Sequence, residues 1–447
     1  MCPMPQGDHV GVEGRTRVCA HVLDLELSAP APGLKRITTD GRWADRACVL
    51  VRILGEPLGL DFLEIPPAGL SGAAVIQLEL ERWMPRLRQI LGIERTQANR
   101  ETFGEAIRAL GSTAFSRAHQ EFMQRAPRCS VVVCSRDRPE ELRRCLSSLL
   151  IQDYPDYAVW VVDNAPASGV TRIVVDSFDA KMDIHYVAEP RPGLSRARNA
   201  ALRCTLDGDL VAWLDDDEVA DHMWLTELMR AFAGRPEVLA ASGVVVPAEL
   251  DTQAQIWFEQ FGGHSKGRGF AADLFSLATR SRQSPLYPLP PFGVGANMAF
   301  RTEALRRLGG FDEALGAGTP SQGSEDTKIF TDVLLTGGAV AYWPSAVTRH
   351  FHRRDLDGLR RQMRGYGSGL TAFYTALVLA KPSTAVSLIR LAPHALHDVY
   401  SSDSLRVATV GDDFPRHLLA ENRRGMAAGP LLYLRGRVQD WRAGGLR

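Results

Sequence analysis

The chain of 447 residues predicts an α/β protein built on a doubly wound, mostly parallel sheet. Two observations predict it. Between residues 128 and 214, short β-branched runs alternate with amphipathic helical segments. The strand starts at Ser130, Ala158, Ile184 and Leu210 recur every 26 to 28 residues. That spacing suits right-handed βαβ crossovers. Such sheets bind ligands outside the carboxyl ends of their strands, so the residues just after Val133, Val162, Val187 and Leu214 carry the functional interest.

Each element has a local reason. Residues 130–134 form the first β-branched run. A helix is expected over 139–152, where Leu142, Cys145, Leu146 and Leu149 share one face. Strands at 158–162, 184–187 and 210–214 alternate with helices at 170–178 and 194–206. Upstream, runs at 47–54 and 60–65 flank a Gly-Pro turn and read as a hairpin. Helices are expected at 71–91, where a Ser-Gly start precedes an apolar stripe, and at 97–124. Downstream come a helix at 224–233, a strand at 239–246, a Gly-rich loop at 261–270 and a Pro-rich stretch at 285–291. Helices at 302–308 and 326–336 precede a last strand near 340–343. The tail reads as helices at 356–366 and 370–379. Three domains result: an N-terminal α/β accessory domain over 1–125, a main domain over 126–355, and a helical basic extension over 356–447.

Composition narrows the function. With 45% hydrophobic and 23% charged residues, the chain is an ordinary globular protein. Its 52 basic and 52 acidic side chains cancel, which argues against a dedicated nucleic-acid binder. From Arg349 onward, 16 basic residues face 8 acidic ones, which suits an anionic partner such as a lipid surface or a phosphate. The seven cysteines are odd in number and lack a C-x-x-C pair, so reduced thiols are expected rather than a disulfide framework or zinc ribbon. No signal peptide or membrane-span pattern is visible. The expected location is cytoplasmic, with peripheral attachment to anionic membrane at its inner face through residues 353–364 and 370–380.

The chemistry-bearing residues lie at the predicted sheet edge. Asp215, Asp216, Asp217 and Glu218 follow a strand directly. Adjacent acids there suit a divalent cation held with substrate phosphates, or else a solvated turn capping the next helix. Asp163 also ends a strand, where it can accept hydrogen bonds from a base or ribose, or form an Asx turn. Arg136, Asp137 and Arg138 follow the first strand, and Arg191, Arg196 and Arg198 the third. Guanidinium groups suit a diphosphate, though helix-face arginines are often merely solvated. Glu325 and Asp326 open a helix after the loop at 316–324. They read as a cap, or as a general base on a loop that can close. In the extended segment at 350–352, His350 and His352 share a face, and either could ligate a metal.

Together these residues resemble a family 2 glycosyltransferase with the GT-A fold, a Rossmann-like nucleotide-binding half joined to an acceptor half. The resemblance runs through CSVVVCSRDRPEELRRCLSSLLIQDYPDYAVWVVDNAP at 129–166, RPGLSRARNAAL at 191–202 and LVAWLDDDEVADHMWL at 210–225. It continues through GVGANMAFRTEALRRLGGFDEAL at 293–315 and SEDTKIFTDVLLTGGAVAYWPSAVTRHFHR at 324–353. The N-terminal part resembles extensions on some actinobacterial members.

The resemblance implies transfer of a sugar from a nucleotide-diphosphate sugar to an acceptor hydroxyl, by single displacement with inversion. The acceptor, a glycan, a lipid-linked molecule or a small molecule, stays open. Asp163 resembles the acid that recognises the nucleoside base. Asp215 and Asp217 resemble the outer acids of an Asp-x-Asp motif, Asp215 near the ribose and Asp217 on Mn²⁺ or Mg²⁺. Asp216 falls with the donor-binding group, as do Arg136, Arg196 and Arg198. Asp326, with Glu325 beside it, matches the base, and Lys328 two residues on would place an ammonium nearby. His350 falls where some members place a late metal ligand, with His352 as its alternative. Trp257, Phe258, Phe261 and residues 287–292 lie where an acceptor site would be shaped, or belong to the core. Two other readings of the same fold are a non-catalytic scaffold and a sugar nucleotidyltransferase. The second normally shows a Gly-rich loop after the first strand, where this chain has SRDRPEELRR.

Overall fold

The computed structural model describes residues 19–37, 41–92, 107, 111–204, 208–265, 267–277, 286–287, 289, 292–400, 410 and 413–442. Three strands open it: β1 (His21–Glu26), β2 (Arg46–Ile53) and β3 (Glu56–Glu64). β2 and β3 form the predicted hairpin, and β1 adds to β2 in parallel. Leu54 and Gly55 turn the hairpin at positive φ, and both N–H groups donate to the Glu26 carboxylate. Helix α1 (Gly72–Leu91), capped by Ser71, buries Val75 and Leu87 against Val49, Val51 and Leu63 of this sheet. Within the helix expected over 97–124, the structure has α2 (Ala114–Met123); residues 97–106 and 108–110 lie outside the described residues.

The main sheet begins with the expected alternation. It runs β4 (Cys129–Ser135), α3 (Pro139–Leu149), β5 (Tyr157–Asn164), α4 (Val170–Asp176), β6 (Ile184–Glu189), α5 (Leu194–Arg203) and β7 (Leu210–Asp215). These four strands lie in the order β7-β4-β5-β6, all parallel. The chain continues through β8 (Glu218–Ala220), α6 (Trp224–Arg230), β9 (Val238–Pro247), α7 (Gln253–Gln260) and β10 (Asp273–Phe275). Then follow β11 (Asn297–Arg301), α8 (Thr302–Arg307), α9 (Glu325–Leu335) and β12 (Ala339–His350). β11 runs antiparallel to both β7 and β9, so the parallel half joins a mixed second half. This is the expected GT-A-type core. Leu142, Leu146, Val174 and Trp224 cover one face of the sheet, and Ala197, Ala201, Ile329 and Phe330 the other.

β12 is longer than its pattern. Pro344 argues for an end at Trp343, yet the strand resumes after a register shift between Tyr342 and Val347. The irregularity absorbs the proline and carries His350 onto the sheet, opposite Glu218 of β8.

The tail is helical: α10 (Leu356–Ala380), α11 (Thr384–Tyr400) and α12 (Arg416–Arg442). The two helices expected over 356–379 are one. Gly367, Ala372, Phe373, Ala376 and Leu377 of α10 are buried, and α10 packs closely along α12. The apolar stretch at 370–380 thus contributes Ala372, Phe373, Ala376 and Leu377 to the protein's interior, while Leu379 is exposed. On α12 itself, Leu431, Leu434, Val438 and Trp441 are exposed. Among the described residues, no helix is long and apolar enough to cross a membrane.

Candidate active site

The acidic run sits where the topology rule points. Asp215 ends β7, and the chain turns at Asp216 and Asp217 to enter β8 at Glu218. Burial pushes Asp215 up to about 7, against the opposing Arg198 guanidinium. Burial and the neighbouring Asp217 push Asp216 to about 7 as well. Asp216 accepts hydrogen bonds from the Ser135 hydroxyl (2.7 Å) and Arg138 Nη1 (2.7 Å). The same Arg138 nitrogen reaches Asp217 Oδ2 at 3.1 Å. Glu218 is fully buried, which raises its carboxyl well above the usual range.

Arg198 of α5 ties this edge to α9. Its side chain is 1% exposed; Nη1 donates to Glu325 Oε1 at 2.8 Å, and Nη2 donates to Asp215 Oδ1 and to the Gly295 carbonyl at 3.1 Å each. Burial holds the Glu325 carboxyl above its ordinary value, and Arg198 opposes that shift. Beside it, Asp326 is half-buried and opens α9. Its Oδ2 accepts from the Gly295 N–H at 2.7 Å and its Oδ1 from the Thr327 N–H at 2.6 Å. A β-carbon on Gly295 would stand 2.9 Å from Asp326 Cβ, so glycine allows this close approach. Lys328 turns away and pairs with Asp332 at 2.6 Å, so its ammonium is committed elsewhere.

The loop before α9 is anchored. The Ser321 hydroxyl donates to Ala314 O at 2.7 Å, and Ser368 of α10 donates to Ser321 O at 2.8 Å. Tyr433 of α12 donates to Asp312 at 2.9 Å. The expected closing loop is, in this structure, a packed support for the helix that carries Asp326.

Histidines complete the edge. His350 Nε2 lies 3.6 Å from Asp217 Oδ1, too far for a hydrogen bond. His350 Nδ1 and His352 Nδ1 are 2.7 Å apart, and His352 Nε2 is 2.8 Å from Glu259 Oε1 of α7. Burial, and then the neighbouring His352, holds His350 well below the usual histidine range, in the neutral form that can ligate a metal. His264 brings a third ring 4.3 Å from that of His350, centre to centre. One ligand atom from each of His264, His350 and His352 falls within 4.8 Å of the others. Nitrogen and carboxylate oxygen facing each other without a bridging hydrogen bond fit a small divalent cation.

A sequence profile described as Glycosyl transferase family 2 matches residues 130–309. This segment is therefore similar to that family. The succinoglycan biosynthesis protein ExoM of Rhizobium meliloti is 33% identical over 223 residues, covering 48% of this chain and 63% of that protein. The pre-mycofactocin glycosyltransferase of Mycobacterium tuberculosis is 27% identical over 321 residues, covering 71% of this chain and 60% of that protein. The chain thus spans less than two thirds of the length of these curated relatives. Among solved structures, a mannosyltransferase from Pyrobaculum calidifontis in complex with GDP-Man and Mn²⁺ aligns at 18% identity and TM-score 0.41. That alignment covers 74% of this chain and 84% of that one.

Within the family 2 segment and its flanks, the expected site residues divide. Asp215, Asp216, Asp217, Glu325, Asp326, His350 and His352 share one sheet edge, linked by Arg138 and Arg198. Asp163 stands at the end of β5 but is fully buried; Tyr186 donates to its Oδ2 at 2.9 Å, and burial raises its carboxyl. Arg136 is exposed beside the edge. Arg196, expected to meet a diphosphate, instead pairs with Asp440 of α12 and Glu313. Arg198, expected there too, is an internal bridge. Phe258 and Phe292 are buried in the core, while Trp257 and Phe261 are half-buried. Of the stretch at 287–292, positions 288, 290 and 291 lie outside the described residues. Glu259 and His264 went unread because neither stands near a motif. Their sole sequence signal is a Glu and a His flanking the aromatic run at 257–261.

Proposed function

We propose that the protein transfers a sugar from a nucleotide-diphosphate sugar to an acceptor hydroxyl, with inversion at the anomeric carbon. The observation that carries this reading is the Arg198 bridge. One buried guanidinium joins Asp215, at the donor edge of β7, to Glu325, beside the candidate base Asp326. Donor-side acids and base are thereby held in one rigid unit, as a displacement with aligned reactants requires.

Asp326 takes the proton from the acceptor oxygen. Its two hydrogen bonds to backbone N–H groups fix the carboxylate's direction. The strand ends beside the buried Asp163 receive the nucleoside, with the exposed Arg136 placed to meet phosphate oxygens. Asp217 and His350 would hold Mn²⁺ or Mg²⁺, which stabilises negative charge on a departing diphosphate. Arg138 keeps Asp216 and Asp217 in place for that cation.

The test is thermal-shift screening of UDP, GDP and dTDP and their sugar conjugates, with and without Mn²⁺. Wild type is compared with Asp217→Ala and Asp326→Asn. The expected result is metal-dependent stabilisation by one nucleotide class, lost in Asp217→Ala and kept in Asp326→Asn. Folded protein that responds to no nucleotide would favour a scaffold and refute the transferase reading.

A further inference from the structure

We infer that the outward face of α12 docks on an anionic lipid bilayer. The inference is independent of the transferase reading. The helix has two unlike sides. Its inner side buries Leu418, Asn422, Gly425, Gly429 and Tyr433. Asn422 Nδ2 donates to Met363 O of α10 at 2.8 Å, and the Thr371 hydroxyl of α10 donates to Met426 O at 2.8 Å. A β-carbon on Gly429 would stand 2.4 Å from Ser368 O, so this side is filled by α10. The outer side carries Leu431, Leu434, Val438 and Trp441, exposed by 73, 44, 47 and 68%. At 3.6 residues per turn these four fall within about 80° of one another, along about 15 Å of helix. They form one continuous apolar stripe rather than scattered surface residues.

Charge decides what covers the stripe. All six arginines of α12 (Arg416, Arg423, Arg424, Arg435, Arg437 and Arg442) are exposed, while both of its acids, Glu421 and Asp440, are buried. Each acid is already paired: Asp440 with Arg196, and Glu421 with Arg424 at 2.6 Å and Arg360 at 3.7 Å. Around the helix, Arg437 follows Trp441 by about 40° on one flank, and Arg442 and Arg435 follow Leu431 by about 20° and 40° on the other. A stripe of leucine, valine and tryptophan, edged on both sides by arginine, suits a surface with an apolar interior and negative headgroups. Arginine stems lie along the apolar boundary while their guanidinium groups meet lipid phosphates. The stretch at 353–364, where such a contact was expected, is less suited. Its Arg354 pairs with Glu249 and Asp251, and its Arg360 with Asp357 and Glu421.

The test is flotation of the full chain with phosphatidylcholine vesicles, with and without phosphatidylglycerol, at low and high salt. Wild type should float with the anionic vesicles at low salt, less at high salt, and stay behind with phosphatidylcholine alone. The triple variant Leu431→Ser, Leu434→Ser, Trp441→Ser should bind the anionic vesicles roughly 10- to 100-fold more weakly. Its melting temperature should stay near that of wild type, because all three side chains are exposed. Arg435→Gln with Arg442→Gln should also weaken flotation and flatten its salt dependence, whereas Arg353→Gln with Arg361→Gln should leave it unchanged. Wild type that does not float with anionic vesicles at low salt, or a folded triple variant that floats as well as wild type, would overturn the inference. Analytical ultracentrifugation provides the remaining check. A wild-type dimer that the triple variant converts to monomer would assign the face to a second copy and overturn the bilayer as its partner.

Discussion

Replacing Arg198 by methionine separates two roles that a sequence cannot distinguish. As a diphosphate ligand, Arg198 would be dispensable for folding, and its loss would raise the donor KM. As the buried bridge between Asp215 and Glu325, its loss leaves two carboxyl groups without their shared cation and the Gly295 carbonyl without its 3.1 Å donor. Removing one partner of a buried ion pair costs about 3–5 kcal/mol. At about 2–4 °C per kcal/mol for a domain of this size, the melting temperature should fall by roughly 6–20 °C. Adding Glu325→Gln to Arg198→Met should recover part of the loss, because the double variant removes one orphaned charge. Scanning calorimetry or fluorescence-monitored melting measures this directly. A variant that melts within 2 °C of wild type (about 1 kcal/mol or less) while its donor KM rises would refute the bridge and restore the direct phosphate contact.

Three further outcomes are expected. His119 of α2 lies between Glu227 (2.6 Å) and Asp153 (2.8 Å); burial opposes its charge, but these partners raise its pKa to about 9 from 6.5. A raised folded-state pKa stabilises fully below pH 6.5 and loses effect as pH rises through 9. Wild type should therefore exceed His119→Gln by up to about 3 kcal/mol at pH 6, the gap shrinking by pH 9.5 in urea melts; a pH-independent gap would rule out the charged pairing. Gly295→Ala should displace Asp326 and lower turnover by roughly 10²-fold, while nucleotide-induced thermal shifts persist; unchanged turnover would show that Asp326 tolerates the displacement. Asp326→Asn should reduce kcat by roughly 10²- to 10⁴-fold with donor KM near wild type. A normal kcat would remove Asp326 as the base.

What the sequence discloses is what local pattern can encode. The βαβ half was legible because each strand and helix carries its own hydrophobic period, and because acids at strand ends follow from topology. The return strands were harder. β11 has five residues in a stretch to which the pattern assigns no element, and its identity comes from pairing with both β7 and β9. β12 was truncated at Pro344 because a proline argues against a continuing ladder; only the register shift reveals how the strand reaches His350. Arg198 looks like any helix arginine. Its burial depends on Glu325, 127 residues away. Glu259 meets His352 across 93 residues, a contact that no local spacing could suggest.

The distribution of charge at the edge bears on the proposed cation. Asp215 to Glu218, with Glu325 and Asp326, place six carboxyl groups together. Two guanidinium groups answer them, and each is shared: Arg198 by Asp215 and Glu325, Arg138 by Asp216 and Asp217. Asp326 is satisfied by backbone N–H groups instead. Burial raises Asp215, Asp216, Glu218 and Glu325 toward their neutral forms, which relieves part of the excess. Asp217 Oδ1 differs from these oxygens in facing an imidazole nitrogen at 3.6 Å. A permanently charged arginine at that point would complete the compensation and close the edge. An imidazole leaves the negative charge standing, which suits the divalent cation and anionic donor of the proposed function.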